Sequence, residues 1–201
     1  MMRFKFSRIL SFSFLTLLLF SACTSNEDYL PKERGFSYIE IPKHSYTPFN
    51  DSILPYSFEI SNYAQALKDT NSFKERKEAY RILNYPTLNC QVYLTYKPIN
   101  NNTETLYSLI AEGFDLRDGH NKKAYGIDEE PGFTQKGYPR TYFNLEGDVP
   151  SQFQFMVHDS TTHFMRGALY FPVATKNDSL APVIEYVTED IKHLVNTLEW
   201  K

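Results

Sequence analysis

Two apolar runs, residues 152–158 and 163–171, are separated only by Asp159-Ser160-Thr161-Thr162. Four residues cannot make a parallel crossover, which needs about a dozen. The runs must therefore pair as an antiparallel hairpin. Side chains alternate across a strand. In the first run Phe153, Phe155 and Val157 share a face. In the second, Met165, Gly167, Leu169 and Phe171 share one face, and Phe164, Arg166, Ala168 and Tyr170 share the other. A third strand candidate, 140–145, precedes them across the turn-rich stretch 146–151. Three consecutive strands with tight links dictate an antiparallel sheet, and amphipathic helices must cover it.

Two such helices are legible. The first follows Asn101, with Glu104 at capping-box spacing, and its stripe is Leu106, Ile110 and Phe114 with Leu109 and Gly113 beside it. Gly113 weakens that helix by about 1 kcal/mol relative to Ala, and Gly119 is placed to break it. The second is capped by Asp178 or Ser179, with Pro182 in the first turn. Ile184, Val187, Ile191, Leu194, Val195 and Leu198 run down one side, with Glu185, Glu189 and Lys192 opposite. Glu189 and Asp190 lie in mid-helix, where the macrodipole gives no reason for them. Residues 56–60 and 91–96 read as strands by alternation and β-branched or aromatic content. Residues 36–41 read as a short edge strand, 42–55 as a Pro-rich loop and 126–137 as a loop. Residues 61–77 carry no clear period, and 78–83 reads as a strand or a helical turn. The expected fold is α+β: a mainly antiparallel sheet covered by two main helices. If the helices take opposite faces, it is a helix–sheet–helix sandwich. Trp200 is expected to dock on the domain.

The N-terminus reads as an address. Arg3, Lys5 and Arg8 precede an apolar run of about twelve residues, too short for a hydrocarbon core that needs about twenty but proportioned as a signal-peptide h-region. Ser21 and Ala22 then precede Cys23, an order that resembles a bacterial lipobox with Phe20 where Leu is usual. Ordinary cleavage after Ala22 would leave a bare thiol at an exposed chain end, a reactivity hazard, so lipidation of Cys23 is the favoured reading. Several acyl chains anchor stably where one does not. Thr24, rather than Asp, at the second mature position points to the outer membrane. The pair Glu27-Asp28 reads as solvated charge, with a surface-export tag as the weaker alternative. The expected organisation is a signal peptide over 1–22, a lipidated tether over 23–35 and one α+β domain over 36–201.

Cleavage removes three cations and no acids, taking the net charge from −3 to −6. That disfavours nucleic acid, which needs a basic footprint. Two cysteines in 201 residues make no disulfide framework, so Cys90 reads as a small buried apolar residue. Fifteen Tyr and sixteen Phe suit strands and cores. With one Trp, at the chain end, an aromatic sugar platform is the weaker interpretation.

Motifs for chemistry are sparse. There is no glycine-rich phosphate loop, no paired cysteines and no nucleophile elbow. His158-Asp159-Ser160 spells a triad, but a triad needs converging side chains, and Asp and Ser at a hairpin usually bond its backbone. His158, His163 and Asp159 could meet as metal ligands, though without ordinary zinc spacing. No metal and no cofactor are expected. Arg166, inside a strand, needs a carboxylate or carbonyl partner. Asp159 and Asp178 are the expected candidates, with a structural ion pair favoured over an anion site.

Several segments together resemble the gliding-motility lipoprotein GldD family of Bacteroidota. The most specific runs from Gln154 to Phe171 and resembles the family block Q-F…D-S-T-x-H-F-x-R-G-A-L-Y-F through Gln154-Phe155, Asp159-Ser160-Thr161, His163-Phe164 and Arg166-Gly167-Ala168-Leu169-Tyr170-Phe171. Further matches are residues 177–184, Asp190-Ile191, Trp200-Lys201, Pro31-Lys32 with Arg34-Gly35, residues 55–59, residues 94–97, and His120 with Lys123-Ala124. Glu33 and His158 depart from the family's usual Pro and Thr, and 125–150 matches least. The resemblance implies a non-enzymatic envelope lipoprotein supporting gliding motility or type IX secretion. Its expected partners are the membrane, through lipid, and protein components of that machinery. The expected interaction surface is Asp159, Ser160, His163, Arg166 and Asp178, facing the periplasm. The alternatives are an envelope hydrolase or metal-dependent enzyme built on residues 158–163, and a small-ligand binder with a closed cavity between sheet and helix.

Overall fold

The structure, a computed structural model, describes residues 39–69, 79–120, 123–172 and 177–201, with the side chains of 177–179 not described. The expected signal peptide, the tether, Cys23 and residues 36–38 lie outside the described residues.

Chain order is β1 (Tyr46–Phe49), β2 (Tyr56–Ser61), β3 (Gln65–Lys68), β4 (Arg81–Tyr85), β5 (Cys90–Pro98), α1 (Thr103–Asp118), β6 (Ala124–Phe133), β7 (Pro139–Gly147), β8 (Phe153–His158), β9 (His163–Tyr170), α2 (Asn177–Thr197) and β10 (Glu199–Trp200). The main sheet has seven strands in the order β3-β4-β5-β9-β8-β7-β6, and a smaller one has the order β1-β2-β10. Every pairing is antiparallel. This is an α+β fold.

Most neighbours in the main sheet are joined by local connections, but β5 and β9 are separated in sequence by α1, β6, β7 and β8 and meet with Gln91 opposite Tyr170 through Pro98 opposite His163. That pairing closes one sheet from two local meanders. Alternation then sorts the side chains onto two faces. On one face Tyr142, Phe155, Val157, Met165 and Leu169 pack with Val183, Val187, Ile191 and Leu194 of α2 and with Leu198 just after it. On the other Phe143, Met156 and Phe164 pack with Leu106 and Leu109 of α1. The helices do take opposite faces, so the layers are helix, sheet, helix. Tyr56, Phe58 and Ile60 of β2 join the α2 side, where the small sheet pairs Trp200 with Tyr56.

Several local expectations shift. Residues 39–41 form no strand, and β1 lies inside the stretch read as a loop. The largest change is 126–137: most of it belongs to β6, a ten-residue edge strand paired with β7. Alternation was invisible there because an edge strand of Asp128, Glu129 and Glu130 is largely solvated on both faces, and an edge tolerates Pro131. The turn after it closes through Thr134 N–H to the Tyr138 carbonyl (2.9 Å), with Gly137 at φ 81°. The N-cap of α1 is Asn102, not Asn101. Its Oδ1 accepts from the Glu104 and Thr105 amides at 2.9 and 3.1 Å, while Asn101 takes a left-handed conformation and its amide donates to Thr161 across the sheet. Helix α2 starts at Asn177, so Pro182 lies inside it rather than in the first turn. Cys90 is buried, as expected, and burial first, then nearby Asp190, pushes its thiol pKa up to about 12. No helix among the described residues is long and apolar enough to cross a membrane.

Candidate functional site

The hairpin between β8 and β9 is built around Asp159. Its Oδ1 accepts from the amides of Thr161, Thr162 and His163 at 2.9, 2.7 and 2.8 Å. Its own amide donates to the His163 carbonyl at 3.1 Å, and Ser160 turns the chain at φ 69°. Burial alone would raise the Asp159 pKa, but the three amide donors together outweigh it and hold the carboxyl below its ordinary range. This aspartate is a turn-former, which is why neither Ser160 nor a histidine is oriented by it as in a triad.

The two hairpin histidines lie on opposite faces of the sheet. His158 follows Met156 on the α1 face and stacks on Phe164, with Ser160 Oγ 3.3 Å from its Nδ1. His163 lies on the α2 face. Its Nδ1 is 2.8 Å from the Tyr96 hydroxyl, and its ring stacks on Trp200 at 5.1 Å and 9°. Its Nε2 is 4.0 Å from Asp159 Oδ2. Burial lowers both imidazole pKa values, and the Asp159 charge offsets this in part. Ser160 thus sits by one histidine and Asp159 by the other, so neither the triad nor the three-ligand metal arrangement is assembled. Among the described residues no group of three metal-ligating side chains converges.

Arg166 departs from the expected ion pair with Asp159. Its Nη2 donates to Gln154 Oε1 at 2.6 Å, and Tyr170 lies on the same side of the sheet beside it. The side chain of Asp178 lies outside the described residues. Gln154 is 1% exposed, and its Nε2 has no partner among the described residues. Burial lowers the Arg166 pKa. Depressions open on both sides of the guanidinium. One, of about 210 Å³, lies under α1 by Tyr80, Thr95, Lys97 and Glu112. The other, of about 540 Å³, lies over Gln91, Tyr93, Thr95, Ala168 and Tyr170. Both are open to solvent rather than closed cavities.

A polar cluster escaped the sequence reading. Asp190 is 3% exposed. It bonds His44 Nδ1 at 2.7 Å and accepts from the Tyr85 hydroxyl at 3.1 Å, while His44 Nε2 contacts Glu189 at 2.7 Å. The sequence held a signal: Asp190 falls three residues after Val187 and four before Leu194, inside the apolar stripe.

Comparison with known proteins bears on this arrangement. The family model for the gliding motility lipoprotein GldD matches residues 26–200. The chain belongs to the GldD family. The match includes 125–150, where the resemblance was weakest. A GldD protein is by that description a lipoprotein of gliding motility, which places it at the cell envelope. The search of curated proteins returned no match. Among solved structures the chain is similar to the solution structure of cyanobacterial PsbP (CyanoP) from Synechocystis sp. PCC 6803, at 8% identity and a TM-score of 0.46, covering 82% of this chain and 98% of that one.

Proposed function

We propose that this GldD-family protein is an outer-membrane lipoprotein, held by acyl chains on Cys23 and facing the periplasm, that supports gliding motility and type IX secretion as a non-catalytic assembly module. The observation that carries the non-catalytic part is the divergence of the 158–163 side chains. The hairpin most like an active site spends its carboxylate on its own backbone and sends its histidines to opposite faces. A rigid hairpin of that kind suits a docking surface. Tethering supports the same reading, because it raises the effective concentration of a weakly bound partner, to about millimolar for short linkers.

The test is a cross-linking pull-down from cells bearing wild type or Cys23→Ala. Secretion or motility components captured by the wild type alone, with palmitate labelling and outer-membrane fractionation lost in Cys23→Ala, is the expected result. Capture by both forms, or a soluble unlabelled wild type, overturns the tethered reading. Stoichiometric metal in the purified wild type overturns the non-catalytic one.

A further inference from the structure

Helix α1 covers only part of its face of the main sheet. It packs over Phe143, Met156 and Phe164. Beyond its edge, β5 and β9 present Gln91, Tyr93 and Thr95 beside Arg166, Ala168 and Tyr170, in register across the pair. These residues line the 540 Å³ depression, and Arg166 is the one ionisable cation among its described lining residues. Tyr93 is 37% exposed and meets Tyr170 edge to face, ring centroids 5.5 Å apart at 90°.

The charge on Arg166 is poorly answered by the protein. A part-buried guanidinium normally takes a carboxylate, often through two parallel bonds. Here the one hydrogen-bonded side-chain partner among the described residues is an amide oxygen. No carboxylate lies within ion-pair distance of Arg166 among the described residues. Glu112, an acid whose charge reaches it, is paired with Lys97. Gln154, itself fully buried, fixes the guanidinium from behind, and its own Nε2 is an unmet donor beside it. A fixed, under-neutralised cation at the end of an exposed aromatic pair is a recognition geometry: the cation takes an anionic oxygen pair, and the tyrosines take a flat body next to it.

We propose that Arg166, Tyr93 and Tyr170 form a binding site for a small ligand that carries a carboxylate on, or one carbon from, a ring. This goes beyond the tethering role and does not depend on it. The ring can come from an aromatic acid or from an acidic sugar, and the two are separated experimentally.

The experiment is calorimetric titration of the detergent-solubilised full chain with phenylacetate, with glucuronate and with neutral phenylacetamide. Affinities of about 1 mM are in range for one ion pair plus one ring contact. The expected result is binding of phenylacetate or glucuronate, whichever is the better fit, with phenylacetamide at least about tenfold weaker. Arg166→Gln should abolish the difference between acid and amide. Tyr93→Ala, at an exposed position, should weaken the acid by about fivefold or more while keeping it ahead of the amide. Equal binding of acid and amide, no heat from either acid at about 20 mM, or an unchanged affinity in Tyr93→Ala overturns the proposal.

Discussion

Gly167 and Gly113 show how one missing Cβ can mean opposite things. Gly167 sits directly across from Phe155 in the β8–β9 register, and a Cβ there would collide with that fully buried ring. A packed aromatic ring has nowhere to go, so Gly167→Ala should cost about 1–3 kcal/mol or more in urea unfolding. A Cβ on Gly113 meets the thioether of Met156 instead. Methionine is adaptable, and the helix gains about 1 kcal/mol of propensity, so Gly113→Ala should change stability by less than about 1 kcal/mol. The buried imidazoles give a pH prediction. Burial lowers His158 and His163 below the ordinary 6.5, so below that pH the unfolded chain binds protons that the folded chain refuses. Stability should fall from about pH 6.5 downward until the histidines titrate in the folded state. His163→Phe should flatten part of that slope in unfolding curves between about pH 7 and 5. Asp159 acts lower down. Its depressed pKa contributes stability above the ordinary carboxylate value of 3.8, and this is lost as pH falls through the folded pKa.

At the scale of elements, the start of α1 depends on a single side chain. Asn102 accepts two amide bonds that would otherwise be unmet, so Asn102→Ala should cost about 1 kcal/mol by chemical denaturation, whereas Asn101→Ala should not act through capping. The sequence revealed this helix, its stripe and the presence of a cap, but it misplaced the cap by one residue, since two adjacent asparagines carry the same chemistry and only the backbone angles separate them. Strands β5, β8 and β9 were readable because one or both faces are buried. Strands β1, β3 and β6 were not, because short or edge strands wetted by solvent leave no period. The small sheet depends on the chain end: Lys201 N–H reaches the Pro55 carbonyl, and Trp200 stacks on His163. Deleting residues 199–201 should lower the melting temperature and expose Tyr96, detectable as increased tyrosine accessibility to nitration.

At the scale of the molecule, the segment before β1 is fastened to α2 by hydrogen bonds and ring stacking. His44 bridges Asp190 and Glu189, its ring stacks on Tyr186, and His193 of α2 holds Glu59 of β2 at 2.7 Å. Removing the buried member of such a set leaves the buried Tyr85 hydroxyl without its acceptor, which costs about 1–3 kcal/mol. Asp190→Ala should therefore destabilise by about that amount and render the chain around His44 sensitive to limited proteolysis at temperatures where the wild type resists. A variant losing less than about 1 kcal/mol would show that the cluster is not a fastening.

The amino-acid order alone determined the hairpin around Asp159, the antiparallel meander it seeds and the two covering helices, because each is set by short-range spacing and by which side chains must leave water. It also carried the family resemblance. Tertiary structure decided which faces the helices occupy, that β5 closes the sheet against β9, that the two hairpin histidines part company, and that Arg166 takes a glutamine rather than an aspartate. Those outcomes depend on contacts between residues far apart in the chain, where many partners have suitable chemistry and only the packed sheet brings one of them within a few ångströms.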